Sequence, residues 1–154
     1  MTQESNSERR ILKIHPNLEG HSVLVIEYFG IFYLLKRRLE EMERMKVCGG
    51  GWPSDDSQKM LTLDAWMERD KIESVIIHPY NFKDCVEEIL EVYRKGLKVI
   101  VIEGSANVRE GEEEAYKIMR EKGISTISKE SIIGSGSKQF LDRLGGELSK
   151  LFNE

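Results

Sequence analysis

Two apolar runs flanking one amphipathic segment constrain this chain more than any other feature. Val75-Ile76-Ile77 and Val99-Ile100-Val101-Ile102 are β-branched and apolar at every position, a composition suited to strands covered on both faces. Between them Phe82, Cys85, Val86, Ile89, Leu90 and Tyr93 recur at helical spacing, and Gly96 follows as a C-cap. Strand, helix and strand in that order form a βαβ unit, whose right-handed crossover lays the two strands parallel. In open sheets of this kind the loops beyond the carboxyl ends of the strands carry the working residues, so His78-Pro79 and Glu103-Gly104 mark where to look for function.

The rest of the chain repeats this unit on either side. Val23-Leu24-Val25-Ile26 reads as a strand running into Glu27-Tyr28-Phe29-Gly30. Ile31, Leu35, Leu39 and Met42 then mark one face of a helix, with Lys36-Arg37-Arg38 and Glu40-Glu41 on the other. A brief strand is expected over Met45 to Cys48, a loop over Gly49-Gly50-Gly51-Trp52-Pro53, and a helix from Gln58 to Asp70 capped by Ser54-Asp55-Asp56-Ser57. Beyond the central unit, Asn107 caps a helix with Glu110, Glu112, Glu113 and Glu114 in its first turn, where acid complements the helix dipole. Gly123 ends it, Ile124 to Ile127 makes a fifth strand, and Phe140, Leu141, Leu144, Leu148, Leu151 and Phe152 form the apolar stripe of a last helix.

Strict alternation of five strands and five helices predicts an α/β, doubly wound (βα)5 three-layer sandwich with a parallel, flavodoxin-like sheet order 2-1-3-4-5. Residues 1–20 read as an N-terminal tail or arm, with Ile11-Leu12-Lys13-Ile14 as a short strand or packed arm broken by His15-Pro16-Asn17, and residues 21–154 as the domain.

Composition narrows the function classes. A chain of 154 residues, 40% hydrophobic and 32% charged, fits one domain burying about two-thirds of its unfolded surface. The net charge is -4 and Lys and Arg alternate with Glu along helices, which argues against a nucleic-acid partner. No apolar run approaches the roughly 20 residues of a membrane span, and Met1 to Ser7 is polar where a signal peptide needs an apolar stretch. These observations predict a cytoplasmic protein with no membrane partner. Cys48 and Cys85 lack metal-ligand spacing and read as reduced thiols, and no metal or other cofactor is expected.

The order and spacing of these pieces resemble the receiver domain of bacterial response regulators, over about Ser22 to Phe152. In that family acidic residues follow the first strand, a phosphoacceptor Asp ends the third, a Thr or Ser ends the fourth, and a Lys follows the fifth. Those places fall here on Glu27-Tyr28, His78, Glu103 and Lys129, and only Glu27 and Lys129 match in chemistry. His78 cannot form an acyl phosphate, Tyr28 removes a metal carboxylate, and Glu103 sets negative charge where a phosphoryl oxygen needs a donor. The aromatic partner of the switch hydroxyl is replaced by Thr126. The resemblance therefore implies an atypical receiver, a regulatory module that docks to another protein, as a homodimer or with a different partner, without aspartate phosphorylation. In receivers the face of the fourth and fifth helices with the fifth strand makes such contacts, and here it includes Tyr116, Met119, Ile124 and parts of the last helix.

The alternative is a small enzyme or small-ligand-binding protein working at the rim of Glu27, Tyr28, His78, Glu103 and Lys129. Cys85 followed by Val86, with the later Tyr93 to Val101 and Glu112 to Ile124 runs, also looks like the C-terminal half of isochorismatase-like hydrolases, which implies Cys85 as nucleophile. That family pairs its Cys with an Asp, where this chain has Glu27, and Cys85 sits on an apolar stripe typical of inert core cysteines. His78 has a similar plain reading, as a polar strand-end residue with Pro79 shaping the loop.

Other motifs are weaker. Gly49-Gly50-Gly51-Trp52 exposes amides that suit a phosphate, but it lacks the P-loop Lys-Ser/Thr ending, and Asp55-Asp56 repels anions; a loop presenting Trp52 to a partner is expected. Gly134-Ser135-Gly136-Ser137-Lys138 reads as a connector before a helix. The clusters Glu40-Glu41-Glu43 and Glu112-Glu113-Glu114 read as solvated helix faces.

Overall fold

The computed structural model describes residues 14–52, 71–78, 82–103, 112–128 and 136–153. A 3-10 turn, Pro16–Leu18, leads into β1 (Ser22–Tyr28), followed by α1 (Phe29–Arg37), a π turn (Arg38–Met42) and β2 (Lys46–Trp52). After it come β3 (Ser74–Ile77), α2 (Phe82–Arg94), β4 (Lys98–Glu103), α3 (Glu112–Glu121), β5 (Ser125–Ser128) and α4 (Gly136–Phe152). The five strands form one sheet in the order β2-β1-β3-β4-β5, and every adjacent pair is parallel. This is the expected α/β fold with its 2-1-3-4-5 sheet. The helix expected from Gln58 to Asp70 and the cap at Asn107 lie outside the described residues.

Period-two alternation divides the core cleanly. Val23, Val25, Ile76, Ile100, Ile102 and Ile127 face α1 and α4, where Phe32, Leu35, Leu39, Phe140, Leu144 and Leu148 cover them. Leu24, Ile26, Val75, Ile77, Val99 and Val101 face the opposite layer, meeting Ile89, Leu90 and Val92 of α2 and Tyr116 and Met119 of α3. Strands buried on both sides have no polar face to alternate, which is why they read as continuous apolar runs. Gly96 stops α2 with φ +97, its amide and that of Leu97 bonding back to Tyr93 and Val92, a C-cap that a side chain would strain.

Three local expectations need correction. The second strand continues through Gly49, Gly50, Gly51 and Trp52, pairing with Val25 through Tyr28 of β1, so this stretch is an edge strand and not a loop. Gly49 adopts φ +120, and a Cβ there would lie 2.2 Å from the Val25 carbonyl oxygen; the glycine permits close approach of two backbones. The expected helix through Met42 gives way after Arg37 to the π turn, closed by the Glu43 amide donating to the Arg38 carbonyl at 3.2 Å. That wider turn brings Arg38 and Glu43 inward, so Glu43 is buried while Glu40 and Glu41 remain exposed. Finally, α4 begins at Gly136, so Gly136, Ser137 and Lys138 belong to the helix.

The N-terminal arm packs from His15 onward. Leu18 is fully buried in the α1/α4 layer of the core. Asn17 donates to the Ser149 carbonyl at 2.9 Å, and the Ser149 hydroxyl donates back to Asn17 Oδ1 at 2.6 Å.

Candidate functional site at the carboxyl rim

The chain order reverses direction between β1 and β3, which is where open α/β sheets leave a crevice at the strands' carboxyl ends. Glu27 stands at the end of β1 and His78 one residue beyond β3, on opposite sides of that point. The ladder continues to His78 itself, whose amide donates to the Ile26 carbonyl at 2.9 Å. Both side chains follow the alternation of Val25 and Ile76, so they lie on the α1/α4 face. Both are buried: Glu27 is 0% exposed and His78 6%.

His78 Nδ1 lies 3.2 Å from the Ile102 carbonyl oxygen. A carbonyl only accepts, so in this contact Nδ1 is the donor. The same Nδ1 is 3.9 Å from Glu27 Oε2, an electrostatic contact too long for a hydrogen bond. A carboxylate and an imidazole this close and this dry interact more strongly than they would in water. Such a pair can hold a proton or a polar ligand group at the switch point.

The remaining rim residues separate. Glu103 ends β4 on the opposite face by the same alternation, and its partly buried carboxylate accepts from the Arg120 guanidinium of α3. The structure therefore brings Glu27 and His78 together and gives Glu103 a different partner. Tyr28 closes β1 opposite Trp52. Thr126 lies within β5. Lys129 lies outside the described residues. Cys85 falls in the first turn of α2; Cys48 lies partly buried in β2. Among the described residues no group of three or more His, Cys, Asp or Glu side chains is placed to hold a metal ion, and no helix is long and apolar enough to cross a membrane.

Of the expected docking face, the three apolar residues named from the sequence are buried. Tyr116 is 3% exposed, Met119 0% and Ile124 3%, because α3 turns these side chains onto the sheet. What α3 and α4 present outward in this region is charged: Glu113, Glu114, Lys117, Glu121, Lys138 and Arg143.

Sequence reasoning missed a second polar centre. At the end of the sheet remote from the rim, Glu43 accepts from the His15 amide at 2.7 Å and from Arg38 Nη2 at 3.3 Å, with His15 Nδ1 3.0 Å away. Arg38 Nη1 reaches Asp142 Oδ1 of α4 at 2.8 Å. Arg38 and Glu43 are five residues apart, the hydrogen-bond spacing of a π turn, and this spacing was the one available signal. Nearby, His21 contacts Glu73 at 2.5 Å and stacks on Phe152 at 4.4 Å between ring centroids. Burial works to raise the Glu73 carboxyl, but the His21 hydrogen bond, the Ser22 amide and the His21 charge outweigh it and hold it below its ordinary value.

Fold and rim together define a flavodoxin-like α/β protein with a buried Glu-His pair at its topological switch point. Compared with models of known families the chain matches none, and comparison with curated proteins finds no match.

Proposed function

We propose that this chain is an atypical receiver-like regulatory module that acts by docking to another protein and is not switched by aspartate phosphorylation. The observation that carries the reading is His78. At the end of β3, where a receiver has its phosphoacceptor carboxylate, stands a buried imidazole tied to the Ile102 carbonyl and facing Glu27. No acyl phosphate can form on it. Glu103 supports the same reading, since a carboxylate already paired with Arg120 offers no hydroxyl to a phosphoryl group. The outward residues of α3 and α4 favour a partner with mixed charge over an apolar one.

Incubation with acetyl phosphate and Mg²⁺, read by intact mass, tests the switch: the mass is expected to stay unchanged. A stable gain of about 80 Da, one phosphoryl group, would overturn the reading. Native purification tests the docking half, which expects a stoichiometric protein partner, a second copy included.

A second reading rests on the burial of Glu27 and His78 at the switch point: a small-ligand-binding protein or hydrolase working at this rim. A small molecule released from the purified protein on denaturation, in place of a protein partner, would favour it. Its hydrolase form uses Cys85 and requires rapid reaction of that residue with a thiol reagent in the native protein.

A further inference from the structure

We propose that residues 14–21 form a strap that opens as a unit while the sheet stays folded, and that the buried Glu43 carboxylate is the catch holding it shut. The strap has a single fully buried apolar anchor, Leu18, whereas Ile14 is 57% exposed and Pro16, Glu19 and Gly20 face solvent. Beyond the stack of His21 on Phe152 at the strap's end, its remaining grip is polar, the His21 ring bonding Glu73 and the His21 carbonyl accepting from the Lys46 amide. His15 meets Glu43 through both its amide and its ring, Asn17 exchanges hydrogen bonds with Ser149, and the Gly20 amide donates to the Arg44 carbonyl at 2.9 Å. A segment held this way opens at lower cost than strands buried on both faces, since each polar contact is largely replaced by water on opening.

Glu43 is the catch because the strap's first polar contact falls on it and the buried Arg38 guanidinium pairs with it from the body of the domain. Its side chain is 0% exposed, with Arg38, 4% exposed, behind it and Asp142 anchoring that guanidinium to α4. Clefts of about 400 and 350 Å³ flank His15, which lines both. Water therefore reaches the catch through His15, and opening starts there. Gly145 completes the seat: a Cβ at that position would lie 2.8 Å from Glu43 Oε2 and 3.1 Å from the His15 ring. Opening removes Leu18 from between α1 and α4 and frees the last turns of α4 from Asn17, so the device couples the N-terminal segment to the C-terminal helix.

Hydrogen exchange by mass spectrometry on the full chain, across a series of low urea concentrations, tests this. Amides of His15 and of 17–21 are expected to exchange at least about tenfold faster than those of β3 and β4, with a weaker urea dependence, because a local opening exposes little surface. Glu43→Gln, which removes the charge and turns an amide toward two donors, is expected to speed strap exchange by about tenfold or more. Asn17→Ala, remote from the buried charges, is expected to act in the same direction more weakly. Strap amides that share the rate and urea dependence of the sheet would overturn the separate opening. Strap exchange in Glu43→Gln within about twofold of the wild type would overturn the catch. If Glu43→Gln does not fold, the wild-type urea series and Asn17→Ala decide: no acceleration in Asn17→Ala together with sheet-like strap exchange refutes the proposal.

Discussion

Gly49 offers the most stringent check on how this fold is held, because two readings of one glycine-rich stretch make opposite predictions. If Gly49-Gly50-Gly51 served to cradle a ligand, Gly49→Ala would spare stability. The structure instead places Gly49 at φ +120 with the Val25 carbonyl oxygen 2.2 Å, and its carbon and nitrogen 3.0 Å, from where a Cβ would sit. The backbone strain is worth about 1–2 kcal/mol and forcing a methyl against an unyielding carbonyl about 1–3 more, so the substitution is expected to cost about 2–5 kcal/mol. Two other glycines calibrate the scale. Gly96 has φ +97 with nothing within 4 Å of its Cβ position, so Gly96→Ala pays only the conformational cost, about 1 kcal/mol. Gly30 lies in α1 with open space around it, and Gly30→Ala is expected to gain about 0.5 kcal/mol. Urea unfolding followed by far-UV circular dichroism reads all three. With a slope of about 2 kcal/mol/M, Gly49→Ala should lower the midpoint by about 1–2.5 M. A loss no larger than that of Gly96→Ala would refute the close approach of β1 and β2.

Gly145→Ala gains helix propensity but presses on Glu43 and His15, for a net loss of about 1 kcal/mol in the same urea assay. His78→Ala is expected to cost about 2 kcal/mol, because it empties a buried site and strips the Ile102 carbonyl of its donor. The Glu73 carboxyl is held low in the folded state, so its contribution is complete above its unfolded pKa and is lost as pH falls through its folded one. The urea midpoint should therefore fall on acidification below about pH 4.5, less steeply in Glu73→Gln than in the wild type, and equal slopes would refute the pairing with His21. The effect is small, since Glu73 is 45% exposed and screened.

The legible parts of this fold are those where local chemistry and tertiary burial agree. The strands β1, β3 and β4 are apolar on both faces, and the stripes of α2 and α4 repeat at helical spacing, so a parallel sheet covered on both faces followed from the alternation, and the order 2-1-3-4-5 was the flavodoxin-like choice for a chain of this length. The second strand was cut short at Cys48 because Gly49, Gly50 and Gly51 have no side chains to form a pattern. Their reason for being in a strand is a backbone contact with Val25, which no periodicity records. The π turn was hidden in the same way. Arg38 and Glu43 carry the charges of a solvated helix face, and only the inserted residue turns them inward to His15 and Asp142, which are remote in sequence.

At the rim, sequence order was enough to bring Glu27 and His78 to neighbouring strand ends, and side-chain parity separates Glu103 from them. What order could not supply was the depth of the pair. A strand-end histidine is ordinarily wet; here His78 is buried because the β1 ladder runs one residue past β3 and its ring lies against the end of β4. The two polar centres thus occupy opposite ends of one sheet face beneath α1 and α4. That separation gives each its own tolerance. The strand ends that carry Glu27 and His78 are held in register by the β1, β3 and β4 ladders, at the end of the sheet away from the Glu43 contact. Glu27 and His78 are thus positioned by the sheet, whose central strands are buried on both faces.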